Sequence, residues 1–436
     1  MTVSEHPPLS HNTQIYYPVY TPHNYPMPAG QLNLPGWERL TVAYPELAVV
    51  HAILGICRFG ARIRYQGYRD TITIHPNLSS ANEYPVTVTA ELMEERTKHR
   101  LEYHTSLRTL SPHFTASPLS LTDKSDGLKR RIHHLSYPPD TGTSINAGIP
   151  EMCGTITTSG IEDAISAIQL YGTECQLLKR DFQSAFRHIP VSPLDVPLLG
   201  FHWEGKYYCE RFLPFGLRTA PYLFNLFAEI FHWILDKELA TRALPATIVH
   251  YLDDFLIIFP WGENVIAYSQ MFSTLCETVE LTIKESKNEE GTVAGFGGVE
   301  LDTQRMVIRL PSKKLETART MVHCAIKASS LSLLELQMLT GLLNFAAIVV
   351  PLGRTFLRRL LYNMQLHYPD NMRHRRWRIS SEARKDLHWW EKVLTLTPER
   401  SILKADRQEI SLWSDAAGTK GLGASMLNYQ NRQPPT

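Results

Sequence analysis

The sequence has few cysteines, and no two of them lie close together along the chain. The six cysteines among 436 residues form no Cys-x-x-Cys pair and no Cys/His cluster with the spacing of metal ligands. A structural zinc site and a disulfide framework are therefore not indicated. The 24 glycines and 28 prolines follow no repeat, which excludes a collagen-like structure.

Long apolar runs are also absent. The longest run, near residues 342–352, is interrupted by Asn344 and Pro351, so it falls well short of the ~20 residues that span a bilayer. The N-terminus is rich in proline and aromatic residues but lacks the apolar core of a secretory signal. We therefore expect an intracellular protein, cytoplasmic or nuclear, without a membrane partner.

Neither sign of charge is in excess. The chain carries 44 basic and 43 acidic side chains, which gives a net charge of +1. A surface for a polyanion such as a nucleic acid must then be local. Hydrophobic residues make up 43% of the chain, which is enough for a large core and excludes wholesale disorder.

The order of predicted elements favours an α+β protein with a helical appendix. Residues 1–36 are interpreted as an extended lead-in, and strands and helices alternate up to residue 310 before a mainly helical region. Helices are predicted at 40–63, 85–108, 160–171, 221–235, 264–283, 312–362 and 381–395. Strands are predicted at 176–181, at 197–213 around the turn Glu204-Gly205, at 246–259, at 292–310 and from residue 410.

Two adjacent carboxylates lie inside an apolar run. Asp253 and Asp254 interrupt the segment from Val249 to Ile258. Buried without partners, each would cost several kcal/mol or stay protonated. The pair therefore sits at a hairpin tip in water or binds cations, and by itself it fits a plain β-turn equally well.

A third carboxylate ends another apolar strand. Asp181 follows residues 176–180, where it fits the N-cap of a helix or a position beside the other acids. If both strands join one sheet, three carboxylates converge, and they repel one another unless divalent cations lie between them. Two-metal phosphoryl transfer requires such an arrangement.

Three segments resemble the motifs of reverse transcriptases, in the family's order. Tyr251-Leu252-Asp253-Asp254 resembles the YxDD box, and the segment from Asp181 to Phe186 resembles the first palm motif, 72 residues earlier. Between them, residues 213–221 (Leu-Pro-Phe-Gly-Leu-Arg-Thr-Ala-Pro) resemble the motif that shapes the nucleotide pocket.

The resemblance implies an α+β right-hand polymerase, with fingers and palm over 37–310 and a helical thumb or connection over 311–400. The implied activity is RNA-directed DNA synthesis by two-metal nucleotidyl transfer. The implied partners are an RNA or DNA template with its primer and dNTPs, and the implied cofactor is Mg²⁺, with Mn²⁺ as an alternative. Asp181, Asp253 and Asp254 are the implied catalytic metal ligands.

The same resemblance implies a nucleotide pocket. A lysine and an arginine would bind the triphosphate, an aromatic ring would lie under the sugar and exclude a 2′-hydroxyl, and a second lysine would give a proton to pyrophosphate. From the residues alone, these positions also fit a solvated strand, a core phenylalanine and a surface lysine. The implied nucleotide-binding residues are Lys124, Arg130, Phe186, Phe215, Gly216 and Lys287.

Nucleic acid is expected along the basic stretch from residue 354 to 385, where aromatic residues are interleaved with arginines and lysines. A solvated helical face is the alternative for this stretch. Residues 296–302 resemble the fifth palm motif, the hairpin that holds the primer end in the family. The implied nucleic-acid contacts are Tyr251, Gly298, Arg354, Arg358 and Arg359.

Two further resemblances concern the origin of the chain. Residues 132–138, 341–345 and 358–360 resemble DIRS-like and Ngaro-like retrotransposon polymerases. Residues 408–436 resemble the start of a ribonuclease H domain, with Asp415 as its metal ligand, but they are too few to build that domain. We therefore expect a fragment or a decayed element without ribonuclease H activity. The alternatives to a polymerase are an inactive, truncated relic that only binds nucleic acid, and a structural protein with a fortuitous Asp-Asp turn.

Overall fold

The computed structural model describes residues 32–123, 129–139, 141–156, 158–367, 375–403, 411–417 and 421–427, with the backbone alone over 411–427. Lys124 and residues 1–31 of the predicted lead-in lie outside the described residues. The described chain divides into two compact units. The first unit lies within 1–167 and 174–298, and the second lies within 168–173 and 299–436.

Several helices begin at an Asn or Ser whose side-chain oxygen accepts a backbone N–H of the first turn, as at Asn33, Asn264 and Ser380. In the described ranges, no helix is both long and apolar enough to cross a membrane. The described α-helices are α1 (Leu34–Thr41), α2 (Leu47–Phe59), α3 (Ser79–Glu83), α4 (Pro85–Thr97), α5 (Ile161–Tyr171), α6 (Ala220–Thr241), α7 (Val265–Val279), α8 (Ser312–Lys327), α9 (Leu333–Ala346), α10 (Arg358–His367) and α11 (Ser381–Thr395).

The strands are short, and most of them pair antiparallel. The described strands are β1 (Thr73–Ile74), β2 (Leu101–His104), β3 (Thr115–Ala116), β4 (Leu119–Asp123), β5 (Lys129–His133), β6 (Gln176–Asp181), β7 (Gly200–Trp203), β8 (Lys206–Glu210), β9 (Thr247–Tyr251), β10 (Asp254–Phe259), β11 (Glu289–Gly291), β12 (Val293–Phe296), β13 (Val299–Asp302), β14 (Val307–Arg309), β15 (Leu331–Ser332), β16 (Arg376–Trp377), β17 (Glu399–Ser401), β18 (Ser411–Ala417) and β19 (Gly421–Leu427).

The central sheet of the first unit has the order β11-β6-β10-β9, and every pair in it is antiparallel. Its two inner strands, β6 and β10, are rich in fully buried residues such as Leu178 and Ile257. Strands buried on both faces appear as continuous apolar runs, which explains why both segments lack alternation. The exception is Arg180, whose guanidinium bonds Ser269 of α7 and Glu290 of β11, on the face away from Asp181.

Aromatic rings hold this sheet against α6 and α7. The ring of Phe182, directly after β6, lies between 5.4 and 6.1 Å from the rings of Phe224, Phe231, Phe255 and Phe272. Each such pair adds about 0.5–1.5 kcal/mol beyond its buried area. The cluster therefore fixes the end of β6 at the point where Asp181 leaves the sheet.

A second sheet in the same unit has the order β1-β3-β7-β8-β2, and β4 and β5 form a separate hairpin. The turn between β7 and β8 is Glu204-Gly205, with both φ angles positive at 45° and 74°. Such angles match the twist of the flanking strands in a two-residue hairpin. The strand pair predicted around this dipeptide is therefore confirmed.

The second unit combines helices with small antiparallel sheets. Strands β13, β14 and β17 pair in that order, β15 pairs with β16, and β18 pairs with β19. Helix α8 packs on α11, and the indole N–H of the buried Trp390 in α11 donates to the Phe356 carbonyl at 3.2 Å. Together, the two units confirm the α+β class.

Three helix predictions need correction. The segment 40–63 is not one helix, because α1 ends at Thr41 and α2 begins at Leu47. Pro45 lies between them, and a proline disfavours the helical conformation of the residue before it. The predicted helix 85–108 ends at Thr97, since Leu101–His104 pairs with β8 instead. The predicted helical stretch 312–362 is broken into α8, α9 and α10, with β15 between the first two.

The predicted boundaries of two other segments also shift. Helix α6 continues past residue 235 to Thr241, and α1 begins at Leu34, inside the region interpreted as an extended lead-in. The predicted strand pair of 246–259 is present, but the turn consists of Leu252 and Asp253. Asp254 is the first residue of β10 rather than part of the turn.

Candidate active site

Three aspartates meet where β6 and the β9–β10 hairpin end. Asp254 lies in register with Asp181 of β6 on one side and with Tyr251 of β9 on the other. Residues paired across neighbouring strands point to the same face, so Asp254 and Asp181 share a face. The Phe182 N–H donates to the Asp253 carbonyl at 3.1 Å. The turn is therefore tied to the end of β6.

The turn itself has an uncommon backbone. Leu252 has a φ of 55°, a conformation that a branched side chain adopts at a cost. This conformation closes a two-residue hairpin and places Asp253 at its tip. The strained residue thus stands directly before the first acid of the Asp-Asp pair.

Burial and mutual repulsion raise the pKa of both acids of that pair. Burial raises the pKa of Asp253, and the nearby Asp181 carboxylate raises it further. Burial also raises the pKa of Asp254 to about 7, against the opposing effect of the Lys179 ammonium. A cation that binds between such acids favours their ionised form.

Two of the three aspartates line a cavity of about 390 Å³. Asp181 and Asp253 form part of its wall, and Lys287 donates to Asp181 Oδ2 at 2.7 Å. The backbone N–H of Lys284 donates to the Asp181 carbonyl at 2.7 Å. The other lining residues are Glu91, Glu95, Arg130, Arg131, His133, Phe182, Ser184, Ala185, Arg187, Glu210, Pro214 and Phe215.

Asp254 has different surroundings. It is not among the residues that line the cavity, and its Oδ1 lies 3.6 Å from Lys179 Nζ. Within the described part of the chain, this buried oxygen accepts no hydrogen bond. A buried acceptor without a donor is unfavourable, and a cation reaching this oxygen would remove that cost.

The donor set suits a hard divalent cation. Carboxylate oxygens are the ligands that Mg²⁺ and Mn²⁺ prefer, and Asp181 and Asp253 present them to the cavity. Across the described ranges, no three His, Cys, Asp or Glu side chains already form a group able to hold an ion. The three-aspartate ligand set therefore stays a prediction, and the pair facing the cavity is its best-supported part.

Aromatic and cationic groups lie near the acids. The rings of Phe186 and Phe215 are 5.3 Å apart, and the Arg130 guanidinium lies 5.7 Å from the centre of the Phe215 ring. Gly216 has a φ of 97°, and a Cβ there would lie 2.9 Å from the His133 carbonyl oxygen. Of the predicted nucleotide-binding residues in the described ranges, Arg130, Phe215 and Lys287 line the cavity. Phe186 and Gly216 do not line it but adjoin Phe215, and Lys124 lies outside those ranges.

The predicted nucleic-acid contacts fall in both units. Tyr251 is half exposed beside the acids, and Gly298 ends the first unit with a φ of 83°. In the second unit Arg354 and Arg358 are exposed. Arg359 differs, because its guanidinium bonds the buried Asp386 carboxylate at 3.1 Å and is thus partly engaged in packing α10 on α11.

Sequence reasoning missed several residues of the cavity wall. Arg131, the chain neighbour of the predicted triphosphate-binding Arg130, is buried and bonds Glu210. Glu210 and Arg187 were not singled out, although both are charged residues that interrupt apolar segments. That interruption was the available signal, since a buried charge needs a partner.

Comparison with known proteins identifies the family. Residues 87–310 match the protein family described as reverse transcriptase (RNA-dependent DNA polymerase). This segment is just over half of the chain and includes every residue that lines the cavity. The chain belongs to the reverse transcriptase family.

Among curated proteins, this reverse transcriptase is similar to the Pro-Pol polyprotein of feline foamy virus. The two are 27% identical over 175 residues, which are 39% of this chain and 13% of the polyprotein. The match therefore spans about an eighth of the length of that relative.

Solved structures show the fold. The foamy viral protease-reverse transcriptase in complex with dsDNA aligns with a TM-score of 0.56 at 16% identity, over 96% of this chain and 81% of that one. Its complex with an RNA/DNA hybrid aligns with a TM-score of 0.55 at 16% identity, over 95% of this chain and 53% of that one. These alignments confirm the predicted right-hand polymerase fold.

Proposed function

We propose that this reverse transcriptase is an RNA-directed DNA polymerase that extends the 3′-hydroxyl of a primer with deoxynucleotides. The observation that carries the proposal is the cavity on which Asp181, at the end of β6, and Asp253, in the β9–β10 turn, converge beside Arg130 and Phe215. The two carboxylates on one part of the cavity wall can hold the cations that accompany a nucleoside triphosphate. The Arg130 guanidinium and the aromatic ring of Phe215 on another part can contact the phosphates and the nucleoside.

The roles follow from where each group lies. Asp181 and Asp253 hold Mg²⁺, or Mn²⁺ in its place, with Asp254 completing the set. When bound, such cations would supply the positive charge that activates the primer hydroxyl and stabilises the pyrophosphate leaving group. Arg130 and Lys287 bind the triphosphate, and the Lys287 ammonium lies close enough to the acids to give a proton to pyrophosphate.

Phe186 sets sugar selectivity in this proposal. Its half-buried ring lies against Phe215 and against the buried Phe224 of α6, so it has little freedom to move aside. A rigid ring under the sugar leaves no room for a 2′-hydroxyl, and deoxynucleotides are selected.

The proposed partners are an RNA or DNA template with its primer, together with dNTPs. Support comes from the foamy viral structures, which hold dsDNA or an RNA/DNA hybrid. Within this chain, the exposed Tyr251 and the hairpin end at Gly298 would contact the primer, and the exposed Arg354 and Arg358 would contact phosphates.

Primer extension tests the proposal directly. The purified chain should extend a primer on an RNA template with Mg²⁺ and dNTPs, and the Asp253→Asn, Asp254→Asn double variant should lose at least about 10³-fold in rate, because it removes two anionic ligands. Glu277→Gln, which neutralises an exposed carboxylate of α7, is the matched control and should extend normally.

Two results would contradict the proposal. Equal extension by the wild type and the double variant would remove the carboxylate mechanism. Binding of primer–template without any extension would favour the second candidate, an inactive retroelement relic that only binds nucleic acid. The ion pair between Lys287 and Asp181 favours that candidate, because the Lys287 ammonium competes with a metal cation for one carboxylate oxygen of Asp181.

We also propose that the chain derives from a retrotransposon of the DIRS-like or Ngaro-like type. The basis is the resemblance of residues 132–138, 341–345 and 358–360 to the polymerases of those elements. The antiparallel pairing of β18 with β19 supports an origin of 408–436 in a ribonuclease H-like segment.

A further inference from the structure

A fully buried carboxylate joins two arginines at the far wall of the cavity. Glu210, the last residue of β8, is 0% exposed, and its two oxygens accept from Arg131 at 3.1 Å and from Arg187 at 2.6 Å. Arg131 belongs to β5, and Arg187 belongs to the 3₁₀ turn that follows β6. Three separate segments of the first unit thus meet at one side chain.

Each of these arginines is the chain neighbour of a residue assigned to the nucleotide. Arg131 follows Arg130, and successive residues of a strand point to opposite faces. Arg131 is accordingly buried while Arg130 is exposed, and both residues line the cavity. Arg187 follows Phe186 in the 3₁₀ turn, with a buried guanidinium next to a half-buried ring.

A fourth segment completes the network. Glu95 of α4 lies 3.1 Å from the second terminal nitrogen of Arg187 and 3.3 Å from Arg100. Glu91, one turn earlier in α4, accepts the backbone N–H of Arg131 at 3.3 Å. The Arg187 guanidinium is therefore held from two sides, by Glu210 and Glu95, and the Arg131 guanidinium is held by Glu210, so neither can rotate without breaking a charge-assisted bond.

Stability alone does not require this arrangement, because well-packed apolar residues replace buried ion pairs at little or no cost. Buried charges with fixed geometry hold their neighbours in place instead. We propose that Glu210, with Arg131 and Arg187, is a positioning residue that sets the Arg130 guanidinium and the Phe186 ring for the incoming nucleotide. This inference rests on the proposed polymerase function of the same cavity.

The test separates nucleotide binding from turnover. Equilibrium binding of dCTP is measured on the chain bound to a primer–template whose primer ends in a dideoxynucleotide, so that no chemistry occurs. Glu210→Gln should weaken dCTP binding at least about 10-fold, with primer–template affinity unchanged within about 2-fold. On an extendable primer, the preference for dCTP over CTP should fall at least about 5-fold, because the Phe186 ring is no longer fixed.

Two conservative variants keep the test valid if Glu210→Gln folds poorly. Arg187→Lys and Arg131→Lys retain the charge but lose the planar two-pronged contact. Arg187→Lys should mainly reduce the preference for dCTP over CTP, through Phe186. Arg131→Lys should mainly weaken dCTP binding, through Arg130.

The first unit contains a matched control. Asp195 is also 0% exposed and bridges two arginines, Arg62 at 2.8 Å and Arg69 at 2.9 Å, but it does not line the cavity. Asp195→Asn should lower the melting temperature as Glu210→Gln does, while dCTP binding and sugar preference stay at wild-type values.

The outcomes distinguish this inference from the proposed function. The inference is wrong if all three network variants bind dCTP as tightly as the wild type and keep its sugar preference. It is also wrong if Asp195→Asn loses as much dCTP affinity and sugar preference as the network variants do. If the wild-type chain binds dCTP but extends no primer, the polymerase proposal fails while the binding measurements still decide the inference. If the wild-type chain binds no dCTP, both are wrong.

Discussion

Single residues of the site are constrained by backbone geometry as much as by chemistry. Gly216 adopts a φ of 97° and brings its Cα so near the His133 carbonyl that a Cβ would lie 2.9 Å from the oxygen. Its own carbonyl accepts a hydrogen bond from the Asn146 side chain at 2.8 Å, and Asn146 also accepts the Arg218 N–H. The loop that carries Phe215 is therefore built around a position that only glycine fills without strain.

Replacing this glycine tests that constraint. Gly216→Ala should destabilise the fold by about 1–3 kcal/mol and raise the KM for dNTP, because Phe215 must move when the loop shifts away from His133. Thermal unfolding and dNTP-dependent extension rates measure the two effects. Gly172→Ala is the control, since its φ is 81° but nothing lies within 4 Å of the added Cβ. If both variants change KM alike, the loop packing is not responsible.

Elements of this fold were predictable where their signals are local. The turn Glu204-Gly205, the helix from Ser381 to Thr395 and the strand ending at Asp181 follow from turn residues, a serine cap and an apolar run. Residues 101–104 were assigned to a helix because their strand partner, β8, is more than a hundred residues away. The network around Glu210 was missed for the same reason, since its members come from four separate segments.

The network also gives these elements a pH dependence. Although burial alone would raise it, Arg187 and Arg131 lower the pKa of Glu210 to about 2. Because the folded-state pKa lies below the usual 4.5, the stabilisation is complete above about pH 4.5 and is lost as the pH falls toward 2. This lowering of the Glu210 pKa corresponds to a contribution of roughly 3 kcal/mol to the free energy of unfolding.

Glu210→Gln should therefore be less stable than the wild type by roughly 3 kcal/mol or more at pH 7, where two buried arginines lose their counter-charge. The difference should shrink as the pH falls below 4.5, because the wild-type carboxyl then gains a proton on unfolding, whereas in the folded protein it is protonated only toward pH 2. Urea unfolding at pH 7, 5 and 3 measures it, with Glu277→Gln as the exposed control. A difference that stays constant over this range would show that ionised Glu210 does not stabilise the fold.

At the scale of the whole molecule, the proposed function depends on acids that are distant along the chain, and the sequence around each acid did not show that they come together. Asp181 and Asp254 are 73 positions apart, yet they lie in register on neighbouring strands. An isolated Asp-Asp pair also fits an ordinary turn. Only the order of the motifs along the chain implied that the two strands share one sheet. That order did not show that Asp254 lies beside Lys179 and does not line the cavity.

A net charge of +1 means that nucleic acid cannot be attracted by the protein as a whole. The affinity must come from local cations that displace counterions, so binding of an RNA/DNA hybrid should weaken steeply with salt.

Arg354→Gln with Arg358→Gln should reduce the slope of log K against log salt concentration by about 2, at roughly 0.9 for each phosphate that is no longer neutralised. Fluorescence anisotropy between 50 and 300 mM salt, a range of ~6-fold over which screening changes strongly, measures the slope. Arg58→Gln is the control, because this exposed arginine already pairs with Glu38 at 3.1 Å. An unchanged slope in the double variant would place the phosphate-binding residues elsewhere on the chain.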